Sequence, residues 1–321
     1  MSRAIQLAKQ GKGYVAPNPM VGSVIVHEDK IIGEGFHQKY GEAHAEVNAV
    51  RSVKNQDLLK KSTIYVTLEP CAHFGKTPPC ANLIIEKQIP KVVIGCRDSY
   101  EEVDGKGIQL LREAGIEVEL GILEKECQEL NKRFFCFHTK KRPYIILKWA
   151  ESANGYMDIE RDGQKGVFWI SQPETKQLVH KWRHEEAGIL IGARTLINDN
   201  PSLTTREYKG QSPTRFIIDT KNSINLSDFK IGNLEGETHL IHTDKIEDVI
   251  AQLFEHNMQS VIIEGGCKTL QAFIDANAWD EARIIRGCQN ISAGTKSPKI
   301  NERIHHSFAY GKDQIQIVLN D

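Results

Sequence analysis

The chain has 321 residues, 40% hydrophobic and 26% charged. That is enough for about two domains, each large enough to bury its own core. Its 41 basic and 42 acidic residues leave a formal charge of −1, split as +3 over residues 1–142 (21 basic, 18 acidic) and −4 over residues 143–321 (20 basic, 24 acidic). A body this close to neutral excludes a nucleic-acid binder that works by charge, and the apolar content excludes a disordered chain. No apolar run nears the ~20 residues of a membrane span, and no signal-peptide core is readable. Seven scattered cysteines, an odd number, suit thiols or metal ligands in the reducing cytoplasm better than disulfides.

In chain order, Ala4, Ile5 and Ala8 are spaced for a short helix over 2–10. Strands over 21–27 and 30–34 form a hairpin about Glu28-Asp29. A helix over 44–53 follows, then a buried strand over 63–68 and a helix over 79–87 with Pro79 in its first turn. Next come a strand over 91–95, a helix over 107–114 stopped by Gly115, a strand over 116–120 and one long helix over 123–138. The basic run Lys140-Lys141-Arg142 before Pro143 reads as a solvated linker. Beyond it, strands over 144–150, 188–191, 215–219, 239–242, 261–264, 281–286 and 314–319 are interleaved with helices over 172–186, 246–256 and 269–276. Residues 199–206 read as a loop rich in turn formers. Strands alternating with helices predict two α/β domains, 1–142 and 143–321.

The sharpest chemistry lies in His44-Ala45-Glu46, Glu69-Pro70-Cys71 and Cys80. One imidazole and two thiolates suit a single zinc ion per chain and leave one tetrahedral position for water, whose pKa zinc lowers toward ~7. Glu46 then has no need to bind metal and can shuttle protons. On a regular helix, residues two apart point ~200° from each other. His44 and Glu46 therefore share a site only at a helix start, seen end-on, which is where they fall. Cys80 opens another helix, where the dipole favours a thiolate. His73 is the one neighbour able to complete a closed, purely structural site.

The pattern H-A-E…P-C…C resembles the zinc-dependent cytidine/deoxycytidylate deaminase superfamily, with eight residues between the cysteines in place of the usual two. The string Pro70-Cys71-Ala72-His73-Phe74-Gly75-Lys76-Thr77-Pro78-Pro79-Cys80, with Asn18-Pro19, Val21-Gly22 and Gly33-Glu34-Gly35-Phe36-His37, is similar to the riboflavin-biosynthesis deaminases, which in bacteria are fused to a reductase. The resemblance covers nearly the whole chain. It implies a three-layer α/β/α cytidine-deaminase-like domain that deaminates 2,5-diamino-6-ribosylamino-4(3H)-pyrimidinone 5′-phosphate. It carries over His44, Cys71 and Cys80 as zinc ligands, Glu46 as proton shuttle, and Asn18, His37, His73 and Lys76 as substrate contacts.

The second half has no metal cluster in its sequence. Val261-Ile262-Ile263-Glu264-Gly265-Gly266 is a strand running into a carboxylate and two glycines before a helix, a turn that lets phosphates approach. With Gly192-Ala193-Arg194-Thr195 and Asp199-Asn200-Pro201-Ser202-Leu203-Thr204-Thr205-Arg206 it is similar to the reductase half of the same family. That resemblance implies a dihydrofolate-reductase-like α/β fold that uses NADPH to open the ribosyl group to a ribityl chain. Trp169, Thr195, Asp199 and Gly266 would contact NADPH, and Lys148, Arg183, Leu203, Arg206 and Glu264 the substrate, with the two arginines reaching its phosphate. Three places depart from the family: Asn154 where an aspartate is usual, Val167 where a polar residue is usual, and 286–290 without the usual Ala-Pro. The family also implies a cytoplasmic homo-oligomer whose partner is a small phosphorylated pyrimidine, with neither nucleic acid nor membrane. The alternative reading is a zinc deaminase of another nucleobase or nucleotide with an inactive second domain.

Overall fold

A computed structural model describes residues 1–72, 79–99 and 104–320, which fall into two units, Met1–Lys141 and Arg142–Asp321. Among the described residues no helix is long and apolar enough to cross a membrane.

The first unit runs α1 (Ser2–Ala8), β1 (Gly22–His27), β2 (Lys30–Phe36), α2 (Ala45–Ser52), β3 (Thr63–Leu68), α3 (Cys80–Glu86), β4 (Lys91–Cys96), α4 (Lys106–Glu113), β5 (Glu117–Leu120), α5 (Glu124–Leu130) and α6 (Lys132–Lys140). Its sheet has the order β2-β1-β3-β4-β5. β1 is antiparallel to β2 and β3, whereas β3, β4 and β5 are parallel. Glu28 and Asp29 both take positive φ (46° and 59°), the twist a two-residue hairpin turn demands. Side chains alternate across the sheet. Val24 packs with Ala4 and Leu7 of α1, while Ile25 packs with Ala49 and Val50 of α2, Ile84 of α3 and Leu111 of α4. The result is three layers, helix on sheet on helix. α2 lies close on β2 because Gly35 has no side chain; a Cβ there would stand 2.3 Å from the Ala49 nitrogen.

One expected element divides. The helix predicted over 123–138 is two helices, α5 and α6, broken at Asn131. The Asn131 amide is buried and turned onto Met20: its Oδ1 accepts from the Met20 N–H at 2.8 Å and its Nδ2 donates to the Met20 carbonyl at 2.9 Å. A side chain that pairs with a distant backbone competes with the helix it sits in.

The second unit runs β6 (Tyr144–Glu151), β7 (Tyr156–Ile159), α7 (Pro173–Glu185), β8 (Gly188–Gly192), α8 (Ala193–Asp199), β9 (Thr214–Ile218), β10 (Thr238–Ile241), α9 (Ile246–Glu255), β11 (Ser260–Ile263), α10 (Cys267–Asp275), β12 (Glu281–Arg286), β13 (Gly294–Lys296), β14 (Ile304–Tyr310) and β15 (Asp313–Leu319). The main sheet has the order β10-β9-β8-β11-β6-β12-β15-β14, with a separate pair β13-β7. From β10 to β12 neighbours are parallel; β15 and β14 close one edge antiparallel. α9 and α10 cover one face through Val249, Leu253, Leu270 and Phe273. On the other face, Trp182 of α7 lies under Arg283 of β12.

Sequence periodicity missed β7, β13 and β14, which are short or exposed, so their side chains show no buried face to the pattern. The loop predicted over 199–206 starts one residue later than expected: Asp199 is the last residue of α8, and Asn200 leaves it in the left-handed conformation (φ 41°). Arg142 is not part of a solvated linker. It makes a bidentate ion pair with Asp280 at 2.6 and 2.7 Å, which ties the first residue of this unit to the start of β12.

Asn154 has a structural reason. Its Nδ2 donates to the Ile291 carbonyl at 2.9 Å, and its Oδ1 accepts from the Ile291 N–H at 3.1 Å and from the Ser152 hydroxyl at 2.8 Å. Only an amide can both donate and accept there; an aspartate would turn an oxygen toward a carbonyl. Nothing in the structure explains Val167, which is exposed.

Candidate functional site

The first site sits where β3 ends. β3 delivers Glu69-Pro70-Cys71 to the starts of α2 and α3. His44 is the residue before α2, in extended backbone (φ −69°, ψ 166°), so its ring projects from the helix end. Cys80 is the first residue of α3. His44 Nδ1 lies 3.6 Å from Cys71 Sγ and 3.4 Å from Cys80 Sγ, and the three ligand atoms all fall within 4.8 Å of one another. A tetrahedral zinc with Zn–N about 2.0 Å and Zn–S about 2.3 Å has N···S edges of about 3.5 Å, so these residues fit zinc.

The ligand set shares its protons unevenly: Cys71 is held as the thiolate, whereas the hydrogen bond with Cys71, aided by burial, pushes the Cys80 thiol well up, and the bond to Cys71 also raises the His44 pKa. The Cys71 pKa is lowered to about 4, chiefly by its hydrogen bond with the Cys80 thiol, while burial opposes the shift and His44 assists it. The Cys80 N–H also donates to Cys71 Sγ at 3.3 Å. Glu46, in the first turn of α2, is buried. Burial, with Cys71 next to it, raises its pKa to about 7. A carboxyl held there can give or take a proton at neutral pH.

His37 and Asn18 stand beside this centre. The His37 and His44 rings meet edge to face at 5.4 Å. His37 lies 3.1 Å from the Ala43 carbonyl through Nδ1 and 3.1 Å from Asn18 Nδ2 through Nε2. The carbonyl needs a donor and the Asn18 amide needs an acceptor, so the ring is the neutral Nδ1–H tautomer. Burial lowers its pKa, which keeps that form. His73 and Lys76 lie outside the described residues.

Glu69 is a site residue that sequence reasoning passed over. Its buried carboxylate accepts four backbone N–H groups: Asp98 at 3.3 Å and Gly105 at 3.0 Å on one oxygen, Gly107 at 3.0 Å and Ile108 at 3.2 Å on the other. It thereby fastens the start of α4 to the turn that carries Cys71. The only signal was its place beside Pro70-Cys71, since the groups it binds lie 29–39 residues away. Glu69→Gln turns an NH2 group toward N–H groups, at a cost of about 1.5–3 kcal/mol. We expect that variant to lose zinc during dialysis that leaves the wild type loaded; metal analysis after dialysis checks this, and full retention would count against it.

The second site lies at the carboxyl ends of β8 and β11. These strands are neighbours, and from them the chain departs in opposite directions: β8 leads outward to β9, β11 across β6 to β12. Open α/β sheets bind ligands at such a switch point. Gly266 precedes α10, and its N–H donates to Thr195 Oγ1 of α8 at 3.0 Å. Both helices thus begin at one crevice, with their positive ends toward it, which suits the phosphates of a dinucleotide. Asp199 accepts from Arg161 Nη2 at 3.1 Å. Trp169 stands apart, 51% exposed, with the Lys176 ammonium 3.9 Å above its ring.

Glu264, just past β11, organises the other half of this site. Arg183 Nε and Nη2 each donate to its carboxylate at 2.9 Å, and Lys148 Nζ donates at 3.3 Å. Burial alone would raise the Glu264 pKa, but Arg183 and Lys148 overcome it and hold the group at about 2. Arg183 Nη1 donates onward to the Thr204 carbonyl at 3.2 Å. Leu203 is buried and strained at φ 54°, while Arg206 is exposed. Two buried cations around one carboxylate leave a net positive floor, which suits an anionic substrate.

Two families match the chain: the cytidine and deoxycytidylate deaminase zinc-binding region over residues 1–96 and the RibD C-terminal domain over residues 143–287. The riboflavin biosynthesis protein RibD of Aquifex aeolicus is 38% identical over 308 residues, 89% of this chain and 84% of that protein. Its counterpart from Bacillus amyloliquefaciens is 38% identical over 326 residues, 94% and 86%. Among solved structures, the diaminohydroxyphosphoribosylaminopyrimidine deaminase/5-amino-6-(5-phosphoribosylamino)uracil reductase of Thermotoga maritima superposes with a TM-score of 0.90 at 33% identity, covering 99% of this chain and 97% of that one. An Acinetobacter baumannii RibD gives 0.89 at 30% identity, with the same coverage.

Proposed function

We infer the activity from one premise: this chain belongs to the RibD family of riboflavin biosynthesis proteins. It is a bifunctional enzyme, a deaminase and a reductase. We propose that residues 1–142 carry the deaminase and 143–321 the reductase. The substrate on this reading is 2,5-diamino-6-ribosylamino-4(3H)-pyrimidinone 5′-phosphate and the final product 5-amino-6-(5-phosphoribitylamino)uracil. The observation that carries it is the convergence of His44, Cys71, Cys80 and buried Glu46 on two helix starts.

His44, Cys71 and Cys80 would hold zinc, which would supply an activated water at neutral pH. Glu46 is the proton carrier: its carboxylate would take a proton from the attacking water and return one to the nitrogen of the amine-bearing carbon, whose C–N bond breaks to release ammonia. Asn18 and neutral His37 orient the pyrimidine, and Lys76 and His73 contribute from the segment between the cysteines. In the reductase, Trp169, Thr195, Asp199 and Gly266 would hold NADPH, which would supply a hydride to the ribosyl carbon. Lys148, Glu264 and Leu203 shape the substrate pocket. Arg183 is committed to Glu264 and the Thr204 carbonyl, so exposed Arg206 is the cation that grips the phosphate, with Arg183 behind it. An odd number of scattered cysteines supports the cytoplasm as the compartment, and the family reading adds a homo-oligomer.

A stepwise assay tests this. Purified protein given the diaminopyrimidinone phosphate should release ammonia without cofactor and oxidise NADPH only afterwards. Ammonia release with no NADPH oxidation would remove the reductase half of the reading. Zinc bound with no ammonia release would mean another nucleobase is the substrate.

A further inference from the structure

The loop that carries Leu203 and Arg206 is fastened to α7 by two histidines one helical turn apart. His180 Nδ1 accepts from the Glu207 N–H at 3.3 Å, and His184 Nδ1 accepts from the Gln211 N–H at 3.0 Å. Both rings are buried. Between them on the helix, Arg183 donates to the Thr204 carbonyl at 3.2 Å. Thr205 closes the loop on itself, its hydroxyl donating to the Gly210 carbonyl at 3.1 Å and its N–H to Ser212 Oγ at 3.2 Å. The Tyr208 ring lies 5.5 Å from the His184 ring.

Gly210 permits the approach. A Cβ at that position would stand 2.2 Å from His184 Nδ1 and 2.4 Å from His184 Cγ, so any other residue pushes the loop off the helix. The fastening also works against backbone strain. Leu203 holds φ at 54°, a conformation that such a side chain keeps only where surroundings impose it. A histidine accepts through Nδ1 only when that nitrogen carries no proton. Burial, with Arg183 and Arg206 nearby, lowers the His180 pKa to about 4, so its ring is neutral at neutral pH.

We propose that His180 and His184 are positioning residues of the reductase: they hold the 203–211 loop on α7 so that Arg206 and Leu203 meet the phosphorylated substrate. The proposal rests on the reductase reading above. It concerns substrate affinity, with no part in hydride transfer or in holding NADPH.

The test uses the full-length enzyme, NADPH and 5-amino-6-(5-phosphoribosylamino)uracil, comparing wild type with Gly210→Ala, His184→Ala and His184→Asn. Gly210→Ala and His184→Ala are expected to raise the KM for the phosphorylated substrate at least about tenfold, with the KM for NADPH and the deaminase rate within about twofold of wild type. His184→Asn, which keeps an acceptor near the position of Nδ1, is expected to restore most of the affinity. Unchanged substrate KM in both Gly210→Ala and His184→Ala overturns the proposal. So does a parallel rise in both KM values, which marks general loosening of the unit. A wild type that oxidises no NADPH with this substrate overturns the reductase reading and the proposal with it, and is recognised before any variant is made.

Discussion

Glu46→Gln is expected to slow ammonia release by about 10³-fold or more while leaving zinc bound and NADPH oxidation of the deaminated substrate intact. Glu46 is buried in the first turn of α2, beside the Cys80 thiol. Glutamine matches its shape and keeps the packing, but neither accepts a proton from water nor delivers one to departing ammonia. Three readouts separate the causes: metal content, ammonia release, and NADPH oxidation with substrate already deaminated. A rate within tenfold of wild type would assign the proton transfer to another group. Loss of zinc would show that Glu46 also supports the ligands.

Glu264→Gln carries the largest expected stability effect. The wild-type carboxylate answers two cations, Arg183 through two bonds and Lys148 through one. Glutamine leaves both charges buried without a counter-ion, at a cost of about 3–5 kcal/mol. All four tryptophans, at 149, 169, 182 and 279, lie in the second unit, so selectively excited tryptophan fluorescence during urea unfolding reports that unit alone. Its midpoint is expected to fall sharply, with NADPH oxidation lost. An unchanged midpoint would refute the triad's structural role.

The same group sets an acid limit. The Glu264 pKa is depressed from 4.5 to about 2. A carboxyl depressed on folding adds stability that is fully present above the unfolded value and is lost as pH falls through the folded one. The difference corresponds to about 3 kcal/mol. The second unit should therefore weaken between about pH 4.5 and pH 2, and Glu264→Gln should flatten that slope. A wild-type slope that persists in the variant would place the acid sensitivity elsewhere.

Much of the first site was legible because its signals are local. His44 and Glu46 are two apart, Cys71 follows a strand, and Cys80 opens a helix; ligand type and helix phase together mark the spot. The hairpin at Glu28-Asp29 and the helix stop at Gly115 are equally local, each a matter of backbone conformation over a few residues.

What remained hidden depends on partners far along the chain. Glu69 reaches N–H groups up to 39 residues away, Arg183 reaches Glu264 across 81, and Lys148 reaches it across 116. No periodicity records such pairs. Asn131 shows the same conflict in one residue: its neighbours favour one long helix, but pairing with Met20, 111 positions earlier, breaks it. Arg142 looked like solvated linker and is tied to Asp280. By itself the sequence determined most of the longer, buried elements and the donor set around His44, since each follows from neighbours in the chain. The tertiary structure alone decided the Glu264 triad, the Glu69 brace and the histidine clip on the 203–211 loop. Those rest on burial, which turns a distant carboxylate, imidazole or guanidinium into the one partner able to satisfy a group removed from water.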